Sequence, residues 1–319
     1  MKVLVTGANG FVGNALVTQL LADNLVVIGV VRSKDSILPD GAGRFLILDI
    51  LDEIHWNSML EGVTVVIHTA ARVHVMDDSV ADPLVEFRKV NVDATLNLAR
   101  QAADAGVKRF IFISSVKVNG EITHLGQPFQ PNDNYIPTDS YGLSKYEAEQ
   151  GLLALSKETG MEVVIIRPPL VYGPGVRANF ASMMKWVNKG VPLPLGTIKN
   201  QRSLVALDNL VSFIIHCIDH PQAANEVFLI SDGEDVSTTE LLQKVAKAFG
   251  KQARLVPVPV SWMSFAARLI GKGDMTNRLF GSLQVDSSKA RNLLGWKPVT
   301  TMDEQLKKTA DAYLREKTI

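Results

Sequence analysis

Val3-Leu4-Val5-Thr6-Gly7-Ala8-Asn9-Gly10-Phe11-Val12-Gly13 is the stretch that decides the fold. Its apolar and β-branched start reads as a strand, and glycines 7, 10 and 13 let the backbone turn tightly and pass close to a ligand. A helix opening directly after such a turn presents free N–H groups and a partial positive charge, which suits a pyrophosphate. The spacing is Gly-x-x-Gly-x-x-Gly rather than the commoner Gly-x-Gly-x-x-Gly, and a glycine triplet alone can be no more than a helix-start turn. Here it occupies the first strand-to-helix crossover, the context that dinucleotide binding requires.

Further strands are expected over Val26–Val31, Arg44–Leu48, Val63–His68, Arg109–Ser114 and Glu162–Arg167, alternating with helical patterns near 12–22, 84–105 and 140–159. Continuous apolar strands interleaved with helices predict an α/β fold, a doubly wound parallel sheet of the Rossmann type with both faces covered. After Arg167-Pro168-Pro169 the alternation fades into Pro- and Gly-rich segments around a short helix near 179–189. Ser237-Thr238-Thr239-Glu240 is a capping-box signature for a helix running to about Phe249, and an amphipathic helix starts near Met302. We expect residues 1–169 to bind the dinucleotide. Residues 170–319 form a smaller, mainly substrate-binding portion that partly returns to the main sheet.

Composition narrows the function. The 319 residues carry 33 basic and 33 acidic side chains, so the electrostatic footprint of a nucleic-acid binder is missing. Cys217 is the only cysteine, so no intramolecular disulfide can form; its apolar surroundings suggest a small core residue. The N-terminus goes straight into a strand, and no stretch reaches the roughly 18 apolar residues of a spanning helix. A cytoplasmic, water-soluble protein without membrane contact is the expectation.

An acidic residue ending the second strand would bind the ribose 2′-hydroxyl of NAD, whereas an arginine would accommodate the 2′-phosphate of NADP. This strand ends Val30-Val31-Arg32-Ser33, which tilts toward NADP, unless Arg32 is only a surface charge. Asp49, in Leu48-Asp49-Ile50, could accept from an adenine amino group or simply cap a turn.

Tyr141-Gly142-Leu143-Ser144-Lys145 lies at the start of a helix, where residues four apart share a face. The lysine charge would lower the tyrosine pKa and make the phenol an acid/base near neutral pH. Tyr-x-x-x-Lys is unspecific by itself. Its weight comes from Phe110-Ile111-Phe112-Ile113-Ser114-Ser115, a strand ending in hydroxyls at the sheet edge where ligands bind in such folds.

Together with Asn91-Val92 and Arg167-Pro168-Pro169-x-x-Tyr172-Gly173-Pro174, these residues resemble an extended short-chain dehydrogenase/reductase of the NAD-dependent epimerase/dehydratase family. Within it the chain is most similar to the UDP-glucose 4-epimerase branch, over nearly its whole length. The resemblance implies that Tyr141 is the acid/base, that Lys145 binds the nicotinamide ribose and tunes it, and that Ser115 hydrogen-bonds the reacting oxygen. It also implies NAD, with NADP as the other choice, bound by Gly7, Asn9, Gly10, Phe11, Val12, Gly13, Arg32, Asp49, Ile50, Ala70, Asn91, Tyr141, Lys145 and Pro168. Asn179, Arg202 (in Arg-x-x-x-x-x-Asp, closed by Asp208) and Arg278 would contact the diphosphate of a UDP-sugar. Asp286-Ser287-Ser288-Lys289-Ala290 with Leu294-Gly295-Trp296 is similar to the closing motif of sugar-nucleotide members. No metal is implied, and a homodimer is left open.

Two departures stand out. The acid after the second strand is missing, and Lys117 occupies a position usually held by a small residue or threonine. In an extended segment residues 115 and 117 face the same way, so Lys117 either enters the substrate pocket or snorkels to solvent. The leading expectation is a UDP-hexose or UDP-N-acetylhexosamine 4-epimerase. A UDP-4-keto-sugar reductase making a deoxy-sugar nucleotide is the alternative, favoured by the missing acid. A 4,6-dehydratase would need Asp-Glu where Val116-Lys117 stands. A non-catalytic dinucleotide sensor is opposed by the intact Ser115, Tyr141 and Lys145.

Overall fold

The computed structural model describes residues 1–46, 55–73, 82–269 (backbone only over 265–269) and 279–316. The apolar runs of the first half become strands β1 (Lys2–Thr6), β2 (Val26–Val31), β3 (Gly43–Leu46), β4 (Val65–His68), β5 (Arg109–Ile113) and β6 (Glu162–Arg167). Strand β9 (Glu226–Leu229), from the second half, joins them beside β6. The sheet order is β3-β2-β1-β4-β5-β6-β9, and every pairing in it is parallel. The order reverses beside β1, which is where open α/β sheets bind their ligands.

Parallel strands need crossovers, and helices cover both faces of this sheet. Helices α1 (Phe11–Ala22), α7 (Leu207–His216) and α10 (Ser288–Leu294) pack on one face around Leu16, Leu20, Phe213, Phe228 and Trp296. On the other, α2 (Asn57–Leu60), α4 (Ala94–Asp104) and α5 (Ser140–Thr159) enclose Leu4, Trp56, Phe110, Phe112 and Leu152. Fully burying such a side chain contributes about 1.5–3 kcal/mol. Cys217 is buried against α1 and the sheet, and burial pushes its thiol pKa up.

The helical pattern expected over 84–105 is interrupted. Helix α3 (Pro83–Arg88), capped by Asp82, runs into a π-helical segment, Lys89–Asp93, and only then into α4. The extra residue in that turn points Asn91 inward, where it is buried. Helix α5 starts at the N-cap Asp139, whose carboxylate accepts from the Gly142 amide, and ends on the left-handed Gly160.

Strands β7 (Leu170–Tyr172), β8 (Arg202–Ala206) and β10 (Asp235–Val236) make a second, three-stranded sheet, β10-β8-β7. Helices α6 (Ala178–Asn188), α8 (Thr238–Ala248) and α11 (Met302–Glu316) close its core around Tyr172, Phe180, Leu242 and Leu306. Ser237 and Glu240 form the reciprocal capping box that their spacing predicts. Helix α9 (Val260–Leu269) lies between α8 and α10 in the chain. No helix among the described residues is long and apolar enough to cross a membrane.

Candidate active site

The turn after β1 is set by backbone contact. Gly7 has a φ of +65°, and the Gly10 amide donates to its carbonyl. A Cβ on Gly13 would sit 2.1 Å from the Gly7 oxygen, so helix α1 meets the turn only because that position has no side chain. Gly10 caps α1 without a side-chain hydrogen bond, and Asn14 donates back to the Gly10 carbonyl. The amides of Phe11, Val12 and Gly13 therefore stand at the head of the helix before its first intrahelical bond. This glycine cradle and its row of amides fit the diphosphate of a dinucleotide.

Other expected cofactor residues fall around that turn. The Asn9 amide donates to Ser36 Oγ at 3.0 Å, tying the loop to the segment after β2. Ala70 follows β4, and its amide donates to Thr6 Oγ1 at 3.3 Å. Arg32 and Ser33 are exposed at the end of β2. Asn91, expected among the cofactor contacts, has its amide committed to protein. It accepts from the Arg72 amide and donates to the Arg72 carbonyl and to Ser144 Oγ. Asp49, Ile50 and Arg278 lie outside the described residues.

At the C-terminal end of β5 the structure brings Ser115, Tyr141 and Lys145 together. The ladder with β6 extends past the strand: Ser114 N donates to the Ile166 carbonyl and Val116 N to that of Pro168. Pro168 thus lies beside Ser115. Tyr141 hydrogen-bonds with Ser115 through their side chains, and Lys145 Nζ donates to the Ile113 carbonyl at 2.9 Å. The ammonium also sits 4.4 Å from the centre of the Phe112 ring, a cation–π contact.

Burial dominates the electrostatics. It lowers Lys145 to about 7, against the opposing pull of Glu149. It raises Tyr141 to about 12; the Ser115 hydrogen bond works the other way, and the Asp139 charge adds to the rise. The expectation that lysine would depress the tyrosine is therefore not met in this arrangement, because desolvation of the phenol outweighs the groups around it. Beneath them His68 bridges Thr6 Oγ1 and Thr95 Oγ1 at 2.7 and 3.0 Å, and burial lowers it to about 3, with Lys145 adding.

Lys117 requires a correction. Ser115 is extended, but Val116–Val118 forms a 3₁₀ turn capped by Ser115 Oγ. The alternation that would put residues 115 and 117 on one face does not apply inside such a turn. The Lys117 ammonium instead pairs with Glu121 Oε1 at 2.6 Å and Asp139 Oδ1 at 3.2 Å. It thereby touches the cap of the helix that carries Tyr141.

The expected diphosphate contacts among the described residues, Asn179 and Arg202, lie on α6 and in the second sheet. Asn179 is exposed in the first turn of α6, just after Ala178, whose φ is +55°. Arg202 lies on β8, donates to the Gly281 carbonyl at 3.0 Å, and has its pKa lowered by burial. Asp208 accepts from Gln305 and Lys308.

One group has no counterpart in the sequence reading. Glu149 is fully buried, accepts from Ser114 Oγ at 2.5 Å and pairs with Arg167 at 2.6 Å. The only trace it leaves in the sequence is its position eight residues after Tyr141, two turns along the same helix face.

The model of the NAD dependent epimerase/dehydratase family matches residues 3–231. Over 98% of this chain and 96% of its own length, a UDP-glucose 4-epimerase of Vibrio cholerae is 52% identical. Solved structures agree in shape. A UDP-glucose 4-epimerase of Thermotoga maritima with UDP-glucose superposes with a TM-score of 0.76 at 26% identity, covering 100% of both chains. A Thermus thermophilus UDP-glucose 4-epimerase in complex with NAD gives 0.79 at 25% identity, covering 98% of this chain and 99% of that one. The glycine cradle, the Ser115–Tyr141–Lys145 cluster and a family match over most of the chain lead to one conclusion: this protein belongs to the NAD dependent epimerase/dehydratase family.

Proposed function

We propose that the protein interconverts the C4 epimers of a UDP-hexose or UDP-N-acetylhexosamine, using NAD. The observation that carries this reading is the seating of Tyr141 on Ser115, with Lys145 on the Ile113 carbonyl, in a chain 52% identical to a UDP-glucose 4-epimerase. When bound, NAD would supply the hydride acceptor and donor for C4. The amides of Phe11, Val12 and Gly13 would hold its diphosphate, and Lys145 its nicotinamide ribose.

Tyr141 and Ser115 handle the proton. With Tyr141 held near 12, its Oη keeps its proton at neutral pH. That form hydrogen-bonds the sugar 4-oxygen and delivers a proton to a 4-keto group. The reverse transfer, from the 4-hydroxyl to Oη, requires the phenolate form of Tyr141, which positive charge on Lys145 would favour. Ser115 Oγ would steady the same oxygen. Asn179 and Arg202 would take the UDP diphosphate, with Arg202 pre-positioned by its bond to Gly281.

The acid-free end of β2, with Arg32 and Ser33 exposed, favours the second reading, a 4-keto-sugar reductase. Incubating the protein with UDP-glucose or UDP-N-acetylglucosamine and NAD separates the two. An epimerase produces the gluco/galacto mixture with no net NADH, followed by proton NMR. Failure to interconvert, together with stoichiometric NAD(P)H consumption on a UDP-4-keto-sugar, would replace the epimerase by the reductase.

A further inference from the structure

Helix α5 holds the end of β5 at three successive residues. Tyr141 meets Ser115, Lys145 meets the Ile113 carbonyl, and Glu149 meets the Ser114 hydroxyl. Positions 141, 145 and 149 are each one turn apart, so a single face of the helix supplies all three contacts. The third is the best buried. Glu149 is 0% exposed, and Arg167, from the end of β6, grips its carboxylate through Nε at 3.0 Å and Nη2 at 2.6 Å. Arg167 Nη1 continues to Asn119 Oδ1 and the Pro131 carbonyl, so the pair also anchors the loop that leaves the Ser115 turn.

We propose that Glu149 is a positioning residue of the active site: its buried carboxylate fixes the Ser114–Ser115 strand end and places a negative charge one helical turn from Lys145. This rests on the reading of Ser115, Tyr141 and Lys145 as the reacting set. A buried ion pair is a poor route to stability, since apolar groups of the same size often serve as well. Its placement suits a different task. Lys145 lies in a desolvated site one turn from Glu149 on its own helix; its charge acts on the His68 ring of β4, and Glu149 is itself paired with Arg167. Among the described residues Glu149 is the carboxylate that acts on that ammonium, and it pulls the lysine pKa up while burial pulls it down. Without it the site would lose positive charge where the tyrosine needs it.

The test is Glu149→Gln, which keeps an acceptor for Ser114 and Arg167 and removes the charge. Lys145 is followed by NMR of lysines labelled at Cε, its signal assigned by its loss in Lys145→Met. Lys145 should titrate about one pH unit or more below wild type. The alkaline limb of the kcat profile should move down with it while KM for the UDP-sugar stays put. Glu149→Asp, which restores the charge, should bring the titration back toward wild type. A structural role alone would lower the melting temperature and leave the Lys145 titration where it was; that result overturns the proposal. Should Glu149→Gln fail to fold, Glu149→Gln/Arg167→Gln removes both buried charges together and reads the same titration. The NMR readout needs no turnover, so an absence of epimerase activity would sink the proposed function and still leave Glu149 tested.

Discussion

A methyl group added at Gly13 sets two effects against each other. Gly13 lies inside α1, where alanine is intrinsically favoured over glycine by about 1 kcal/mol. Against this, the new Cβ would lie 2.1 Å from the Gly7 oxygen and 2.8 Å from its carbonyl carbon. Both are backbone atoms, so no rotamer change relieves the clash; the turn must move by more than 1 Å from α1. Overpacking of this kind costs about 1–3 kcal/mol, enough to reverse the propensity gain. Gly13→Ala should therefore melt a few degrees below wild type, at roughly 2 °C per kcal/mol for a chain of this length. The displaced turn carries the amides of residues 11–13 with it, so NAD affinity should fall about tenfold or more, some 1.4 kcal/mol. Thermal unfolding and an NAD titration measure the two effects separately. A Gly13→Ala protein that melts at or above wild type and binds NAD within twofold would refute the close-approach argument.

Tyr141→Phe should retain the fold and NAD binding but lose about 10²–10⁴-fold in turnover, the usual contribution of a general acid–base; activity within a few-fold of wild type would remove Tyr141 from its role. Lys117→Met should change stability by no more than about 1 kcal/mol, since its ion pairs are half exposed. It leaves Asp139 less compensated beside Tyr141, so kcat should drop a few-fold at constant KM, and an unchanged kcat would break that link. His68 sits near 3 in the folded protein, below its ordinary 6.5, so the unfolded chain binds the extra proton between those values. Stability should decline as pH falls from about 6.5 toward 3, and His68→Gln should decline less steeply in denaturant titrations at pH 7, 6, 5 and 4. An equal decline would mean that other groups govern acid unfolding.

What the sequence reveals and what it hides differ in physical kind. The glycine turn, the limits of α5 and the capping box at Ser237 depend on local chemistry, so they can be read in place. The π segment at 89–93 cannot, because Asn91 turns inward to satisfy the Arg72 main chain, nineteen positions away. The same holds for the 3₁₀ turn after Ser115: an apolar strand predicts continued alternation, and only the packing against β6 and α5 bends the chain there. Lys145 and Glu149 look like ordinary charges on a polar helix. Their burial is set by the sheet they lie on, which no reading of neighbours in sequence reveals.

The position of β9 has a consequence for how this chain comes into being. Its partner β6 is complete at Arg167, but β9 begins only at Glu226, roughly sixty residues later. At about 5–20 residues per second, a ribosome takes some 3–12 s to deliver it. For that interval Val163, Val164, Ile165 and Ile166 present an unpaired apolar edge, the kind of strand that captures other chains. Substitutions that slow synthesis or weaken the stretch between β6 and β9 should therefore lower soluble yield well before they alter the finished enzyme. A fragment ending near residue 169 would carry that open edge permanently.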